Sequence, residues 1–276
     1  MATVMTAQEL AQKCEALARQ YKTLYIMGCF GAPMTEKNRK RYSNNHSYNR
    51  KAARAQKIQA AGEDTFGFDC VCMIKGLLWG WCGDSGKVYG GAKYKSNGVP
   101  DCNADSLFRK CADQSEDFSQ IEVGEALWST GHIGIYIGGG LAVECTPSWA
   151  DGVQITACNC EKEGYKTRTW TKHGKLPYVS YESYSLARLR REVALVAADG
   201  ALRVLSTEEN WVHILVYLVQ KRLACLGYQT GHPDGVFGPV TRLAVLAWQK
   251  AAGCPETGKV DAATWAALLE QEADHE

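Results

Sequence analysis

The sequence predicts an α+β protein with two domains. Its 276 residues exceed the roughly 150 of a typical single domain. Residues 119–147 contain short alternating runs rich in Ile, Val and Gly, which favour an antiparallel sheet, and the chain from about residue 207 carries closely spaced helix-start and helix-stop signals. We therefore predict helices packed on an antiparallel sheet in residues 1–180, a linker region at 181–206, and a small three-helix all-α domain at 207–276.

Composition and charge exclude several classes of protein. Apolar residues make up 46% of the chain and charged residues 22%, which is typical of a globular protein. The formal net charge is +1, so the chain as a whole lacks the basic surface of a nucleic-acid-binding protein, and we expect no nucleic-acid partner. The longest apolar run, residues 211–219, contains a histidine and is far shorter than the ~20 residues that span a membrane, so no membrane insertion is expected.

The small net charge conceals regions of opposite sign. Residues 207–276 contain five basic and nine acidic residues, and the rest of the chain contains 26 basic and 21 acidic ones. Eight Lys and Arg residues fall within residues 37–57. That stretch is typical of a solvated loop and helix face, and it also suits a surface that attracts an anionic polymer.

The twelve cysteines are many for a chain large enough to fold without disulfides. Residues 1–20 read as an amphipathic helix without a secretion signal, so we expect synthesis in a reducing cytoplasm and free thiols. A zinc site at Cys158 and Cys160, with Cys145 or His173, is an alternative. Because that pair lacks the spacing usual for zinc-binding cysteines, we predict no metal and no cofactor.

Periodic apolar residues and capping residues place the helices. Residues 6–25 are predicted to form a helix because apolar side chains recur three and four residues apart. Residues 192–205 fit either a hairpin that turns at Asp199-Gly200 or a connecting helix. The helices predicted for the C-terminal domain are 211–226, 239–252 and 261–269, bounded by Gly227, Pro239 and Asp261.

A cysteine at a predicted helix start indicates catalytic chemistry. Asp69 is a good N-cap, which places Cys70 in the first helical turn, where unpaired N–H groups and the helix dipole favour a thiolate. Apolar residues at helical spacing put Cys70 on the inward face, whereas Cys72 is rotated away and is the weaker candidate. The carboxylate of Asp69 opposes a thiolate, unless capping engages it.

A strand with a histidine supplies the base that such a thiol needs. His132 and Gly134 share one face of the predicted strand 131–137. If the following turn centres on Gly139, Gly134 pairs with Glu144, and the carboxylate comes within reach of the imidazole. A one-residue change of register would move Glu144 to the other face. The predicted catalytic residues are Cys70 as nucleophile, His132 as general base and then acid, and Glu144 as the orienter of the ring.

Asp69-Cys70 and Gly131-His132-Ile133-Gly134 together resemble the NlpC/P60 family of papain-like peptidoglycan hydrolases. In that family an Asp-Cys at a helix start faces a Gly-His-(Val/Ile)-Gly strand. The third catalytic residue comes from the next strand and is usually a His. Glu144 occupies that place here, which is similar to the related CHAP hydrolases.

The resemblance covers about residues 1–180 and implies a papain-like fold. It also implies that Tyr25, in the sequence Tyr-Ile-Met-Gly, is a substrate-binding tyrosine near the nucleophile. The chain departs from the family at Val71 and Cys72, where Ser-Gly is usual. These two residues and the glutamate keep open a non-catalytic wall-binding protein as an alternative.

The C-terminal residues resemble the peptidoglycan-binding-1 domain. The motifs are Asp234-Gly235-Val236-Phe237-Gly238-Pro239, Trp248-Gln249, and Gly258-x-Val260-Asp261 with Thr264-Trp265. The resemblance spans nearly all of residues 211–269. It implies that bacterial peptidoglycan is the partner and that most of these motif residues are structural.

The two resemblances together imply a peptidoglycan hydrolase that cleaves an amide of the stem peptide. The favoured bond is the one between D-γ-glutamate and the diamino acid, and N-acetylmuramoyl-L-alanine amidase is the enzymatic alternative. Without a signal peptide, the protein resembles a phage or prophage endolysin. Such an enzyme is made in the cytoplasm and acts on the cell wall after release through a holin.

Overall fold

The computed structural model describes residues 3–181, 185–198, 204–207 and 214–271. The chain divides into two compact units, Met1–Tyr181 and Glu182–Glu276. The first unit is mixed α+β, and the second is helical in its described residues. In the described parts of both units, no helix is long and apolar enough to cross a membrane.

The first unit alternates short strands with helices. Residues Phe118–Gln120 add one 3₁₀ turn. In chain order the elements are β1 (Met5–Thr6), α1 (Ala7–Gln20), β2 (Lys22–Tyr25), β3 (Phe30–Pro33), α2 (Glu36–Tyr42), α3 (Ala52–Ala60), β4 (Thr65–Phe68), α4 (Cys70–Leu78), α5 (Ala104–Phe108), β5 (Ala112–Ser115), β6 (Ala126–Ser129), β7 (His132–Gly138), β8 (Leu141–Thr146), β9 (Gly152–Cys158), β10 (Thr167–Arg168), β11 (Lys172–Lys175) and β12 (Val179–Ser180).

A seven-stranded sheet organises this unit. Its strand order is β10-β9-β8-β7-β6-β11-β5, and every neighbouring pair is antiparallel except β10 with β9. The antiparallel sheet predicted within residues 119–147 is confirmed by β6, β7 and β8. Helices α1 and α4 pack against these central strands, and a three-stranded sheet, β2-β4-β3, adjoins β9. The core therefore lies between the helices and the middle of the large sheet.

The helix predicted over residues 6–25 is too long. Thr6 begins it with a capping box to Glu9, but the helix ends at Gln20 and the chain continues as β2. Strand β2 pairs in parallel with β4, and Tyr25 lies opposite Phe68. Backbone hydrogen bonds to a neighbouring strand have overridden the local helical pattern. As a result, Tyr25 lies next to the start of α4.

Half of the basic stretch at residues 37–57 is used to hold the fold together. The guanidinium of Arg54, of which only 8% is exposed, donates to the Tyr25 carbonyl (3.1 Å) and to Asp151 Oδ1 (2.6 Å). Lys57 bonds the other oxygen of Asp151 at 2.6 Å. Arg39 donates to two backbone carbonyls, and Arg41 donates to a tyrosine hydroxyl. These four cations therefore have structural partners.

The second unit contains four helices in its described residues: α6 (Leu186–Ala198), α7 (Ile214–Cys225), α8 (Pro239–Ala251) and α9 (Ala262–Glu270). Helices α7 to α9 correspond to the three predicted helices. The predicted start at residues 211–213 lies outside the described residues, as does the alternative hairpin turn at Asp199-Gly200. Helix α6 occupies part of the segment predicted as a linker, and its Leu189 and Val193 are buried in the core of this unit.

Two buried glutamines fix the loops of the second unit in the same way. The Gln220 amide donates to Asp234, to the Val236 carbonyl and to Thr241, and its oxygen accepts from two backbone N–H groups of the loop. The amide of Gln249 repeats this pattern with Thr257, Thr264 and the Lys259 carbonyl, and its oxygen accepts from Gly258. The unit is thus an internal repeat of a helix followed by a loop that the helix binds through one glutamine.

We predict that Asp151→Asn destabilises the first unit by about 3 kcal/mol, because the buried guanidinium of Arg54 loses its counter-charge. Asparagine also tolerates the positive φ of 56° at this position, so the backbone is not strained. Urea denaturation monitored by circular dichroism measures the change. The control is Asp64→Asn, which removes a largely exposed partner of Lys22 and should change stability far less. Equal effects of the two variants would contradict the prediction.

We predict that Gln220→Leu destabilises the second unit by about 3 kcal/mol, because it leaves several buried donors and acceptors of the loop without partners. Thermal unfolding of the full chain should show a lower transition for this unit. Gln271→Leu is not a suitable control, since Gln271 accepts a hydrogen bond from Trp248. Arg242→Leu, at an exposed position on α8, is the control. A loss of stability in this variant as large as that of Gln220→Leu would contradict the role given to Gln220.

Candidate active site

The start of α4 is fixed by both oxygens of Asp69. Oδ1 accepts from the Cys72 amide and Oδ2 from the Gly28 amide, each at 2.7 Å. The first bond confirms the predicted N-cap. The second ties the helix start to the loop after β2, so the carboxylate has a structural role on two elements.

The thiol of Cys70 is only 7% exposed and lies at the first position of α4. Burial and the neighbouring Asp69 raise the pKa of Cys70 to about 12, although backbone hydrogen bonds from Ile133, Val71 and Cys70 itself act in the opposite direction. The thiolate expected at the helix start stays a prediction, and burial disfavours the charged form of the isolated thiol. Desolvation outweighs the helix terminus, and Cys70 needs a base.

The candidate base is His132, and the register of the large sheet places a carboxylate beside it. Gly134 on β7 lies opposite Glu144 on β8, as predicted from the position of the turn. His132 Nε2 lies 2.7 Å from Glu144 Oε2. Since the carboxylate occupies Nε2, Nδ1 is the ring nitrogen available to a proton donor.

The Glu144 carboxylate has no exposed surface and is fully engaged. Thr156 donates its hydroxyl to Oε1 at 2.8 Å, and the Arg168 guanidinium reaches both oxygens, at 2.8 to 3.1 Å. Burial alone would raise the pKa of Glu144, but the hydrogen bonds and charges of His132 and Arg168 outweigh it and lower the pKa. Glu144 is therefore ionised and fixed in place.

The ring of His132 is held on its face by Trp170. The two rings are stacked, with centroids 5.3 Å apart and planes 7° apart. Trp170 is itself buried, and within the described residues its indole nitrogen has no hydrogen-bond partner. Gly134 makes room for it, because a Cβ there would lie 2.9 Å from the indole ring. Trp170 and Glu144 together restrict the imidazole to one orientation.

Helix α4 packs against β7, which brings the Cys70 thiol to the strand that carries His132. The backbone of Ile133, the residue after His132, acts to lower the pKa of the Cys70 thiol. Cys70 faces a cavity of about 440 Å³, and Tyr25 lines the same cavity. Cys72 also lines it, although sequence periodicity placed this residue on the far side of the helix. The structure thus places Tyr25 and Cys70 on one cavity and pairs His132 with Glu144 on the two strands against which α4 packs.

Sequence reasoning missed Arg168, Trp170 and Thr156. The available signal was alternation: Arg168 and Trp170 are two residues apart, so an extended chain presents both on one side. Nothing in the spacing indicated that this segment would pair with β9, or that Thr156 would lie opposite Ala142, two residues before Glu144.

The alternative zinc site does not assemble among the described residues, in which no group of three or more His, Cys, Asp or Glu could hold a metal ion. His173 is instead paired with Glu125 through Nδ1 and with the Asp117 carbonyl through Nε2, at 2.9 Å for the latter. The Cys145 thiol donates to the Phe68 carbonyl at 3.3 Å.

The first unit is mixed α+β and carries a buried thiol at the start of a helix that packs on the strand of His132, whose imidazole is bound to Glu144; the second unit is helical in its described residues. Residues 213–268 of the helical unit match a family described as a putative peptidoglycan binding domain, so the chain carries such a domain. No solved structure matches the chain.

Two kinds of curated protein share short stretches with the chain. It is 49% identical over 49 residues to the putative OxPP cycle protein OpcA of Synechococcus elongatus, which covers 18% of this chain and 11% of that protein. It is 47% identical over 47 residues to the localization factor PodJL of Caulobacter vibrioides, which covers 17% of this chain and 5% of that protein. The chain thus spans a small part of each relative.

We predict that Gly134→Ala displaces Trp170 from the His132 ring and destabilises the first unit by about 2 kcal/mol. The new methyl group would lie 2.9 Å from both the indole and the Val143 carbonyl, and the backbone atom cannot move aside easily. Denaturation and near-ultraviolet circular dichroism measure the two effects. Gly238→Ala is the control, because no atom lies within 4 Å of its added methyl group.

Proposed function

We propose that this protein is a peptidoglycan hydrolase that cleaves an amide bond of the stem peptide by cysteine nucleophilic catalysis. The observation that carries the proposal is the placement of a buried, cavity-lining Cys70 at a helix start, against the strand whose His132 is bound to Glu144. A lone buried thiol has a packing role in most proteins. A thiol beside a base that is itself oriented by a third group supports catalysis.

In the proposed reaction, Nδ1 of His132 takes the proton of the Cys70 thiol, and the sulfur attacks the carbonyl carbon of the scissile amide. Backbone N–H groups at the start of α4 stabilise the resulting oxyanion. The imidazolium then gives its proton to the leaving amine, the C–N bond breaks, and a thioester remains on Cys70. Water, deprotonated by His132, hydrolyses the thioester and restores the thiol.

Family resemblance favours the bond between D-γ-glutamate and the diamino acid. In this reading Tyr25, which lines the cavity beside Cys70, contacts the substrate. The C-terminal peptidoglycan-binding domain would keep the hydrolase at the wall and raise its effective concentration there. We further propose an endolysin role, in which a holin pore releases the protein from the cytoplasm to the wall.

We predict that Cys70→Ala abolishes release of fragments from purified peptidoglycan, with a loss of at least about 1,000-fold in rate. Cys72→Ala is the matched control, because it removes a neighbouring buried thiol that lines the same cavity, and it should keep most of the activity. Mass spectrometry of the fragments identifies the cleaved bond.

The products separate the candidate activities. New amino termini on the diamino acid support the endopeptidase, and new termini on L-Ala support the amidase. Full activity of Cys70→Ala would show that Cys70 is not the nucleophile. Wild-type protein that binds peptidoglycan but releases nothing would support a wall-binding protein without hydrolase activity.

A further inference from the structure

The buried Glu144 carboxylate is paired with the partly exposed guanidinium of Arg168, which a catalytic triad with a single orienting carboxylate does not contain. Arg168 donates from Nε to both carboxylate oxygens, at 3.0 and 3.1 Å, and its Nη2 lies 2.8 Å from Oε2. The same guanidinium lies 4.7 Å from the centroid of the Trp149 ring and reaches Thr146 Oγ1 at 3.4 Å. Arg168 is therefore fixed on several sides, and its charge cannot move away from the carboxylate.

A fully buried carboxylate beside an imidazole has two effects on proton transfer by the ring, one favourable and one unfavourable. Its hydrogen bond fixes the ring, which favours catalysis, but its negative charge stabilises the imidazolium. An imidazolium that is too stable gives up its proton reluctantly to a leaving amine. A permanent cation on the far side of the carboxylate cancels the charge and leaves the hydrogen bond intact.

We propose that Arg168 is a positioning residue that neutralises Glu144, so that Glu144 orients His132 without fixing a proton on the ring. The inference rests on the proposed function of Cys70 and His132. In this arrangement the Glu144–Arg168 pair acts as a neutral hydrogen-bond acceptor for the His132 ring. Glu144 on β8 contacts the ring, and Arg168 on β10 contacts Glu144. The titratable groups that act on the Cys70 thiol or are acted on by it are Asp69 before α4, Tyr25 on β2 and Cys145 on β8.

The pH dependence of Cys70 alkylation tests this inference without any substrate. Folded protein is treated with iodoacetamide between pH 4 and 10, and fragment-ion mass spectrometry follows alkylation of Cys70 itself, because Cys72 lies on the same peptide. If Cys70 and His132 form a thiolate–imidazolium pair, the alkylation rate changes with pH twice, once where the thiol loses its proton and once where the imidazolium loses its proton. These two changes are the limbs of the pH profile. The same variants are assayed for the pH dependence of peptidoglycan hydrolysis.

Removing one charge of the pair should shift both limbs, and the direction depends on which charge is removed. Arg168→Gln leaves an uncompensated carboxylate and should move both limbs to higher pH by about one unit. Glu144→Gln leaves an uncompensated guanidinium and should move them to lower pH. The double variant has no net charge there, as in the wild type, and its limbs should return to within about 0.3 unit of the wild-type positions.

Two further variants separate charge from structure. Arg168→Lys keeps the charge and should keep both limbs in place even if the rate falls with the lost bidentate geometry. Lys166→Gln removes an exposed cation from the chain just before β10 and should leave the limbs unchanged.

The inference is overturned if Arg168→Gln behaves like Lys166→Gln, or if the double variant keeps the shift of a single variant. Should Arg168→Gln fail to fold, as judged by circular dichroism, the comparison of Glu144→Gln with the double variant decides the question. Failure of the proposed function is distinguishable: in that case His132→Ala would alkylate with the same pH profile as the wild type.

Discussion

The candidate site depends on one register, the pairing of Gly134 with Glu144 between β7 and β8. This pairing puts the carboxylate on the same face as His132 and one diagonal step away, which is the separation at which a 2.7 Å bond forms. A slip of one residue would turn Glu144 to the other face of the sheet and put Val143 or Cys145 in its place. Strand β9 holds β8 along its whole length, from Leu141 to Thr146, so the register is fixed on both sides of β8.

Desolvation is the second constraint, and it explains why the site needs several parts. Burial raises the pKa of the Cys70 thiol, so the helix start alone does not produce a nucleophile. Burial also opposes the ionised form of Glu144, and only its hydrogen bonds and the Arg168 charge reverse this effect. The carboxylate is thus ionised because of both His132 and Arg168, and the ring is oriented because of the carboxylate. Each group is placed by the next one outward from the thiol.

Local sequence patterns were sufficient for features that depend on neighbouring residues. The N-cap at Asp69, the turn after β7 and the helices that begin at Pro239 and after Asp261 each follow from a few adjacent residues, and the structure shows them. Features that depend on distant pairing were not predictable. Residues 22–25 became a strand only because β4 lies beside them, and Arg168 reaches Glu144 only because β10 joins the edge of the sheet.

The second unit shows why a sequence motif and a binding surface need not coincide. The motif residues Phe237, Trp248 and Trp265 are buried in its core, and the side-chain amides of Gln220 and Gln249 hydrogen-bond to the loops. These residues therefore account for the fold that the family match reports, and they have little surface left for a ligand. Val240 and Leu243 on α8, by contrast, are apolar side chains that the fold leaves exposed. The two units thus use their buried polar groups differently: in the first they hold the Glu144 carboxylate beside His132, and in the second Gln220 and Gln249 hold the loops.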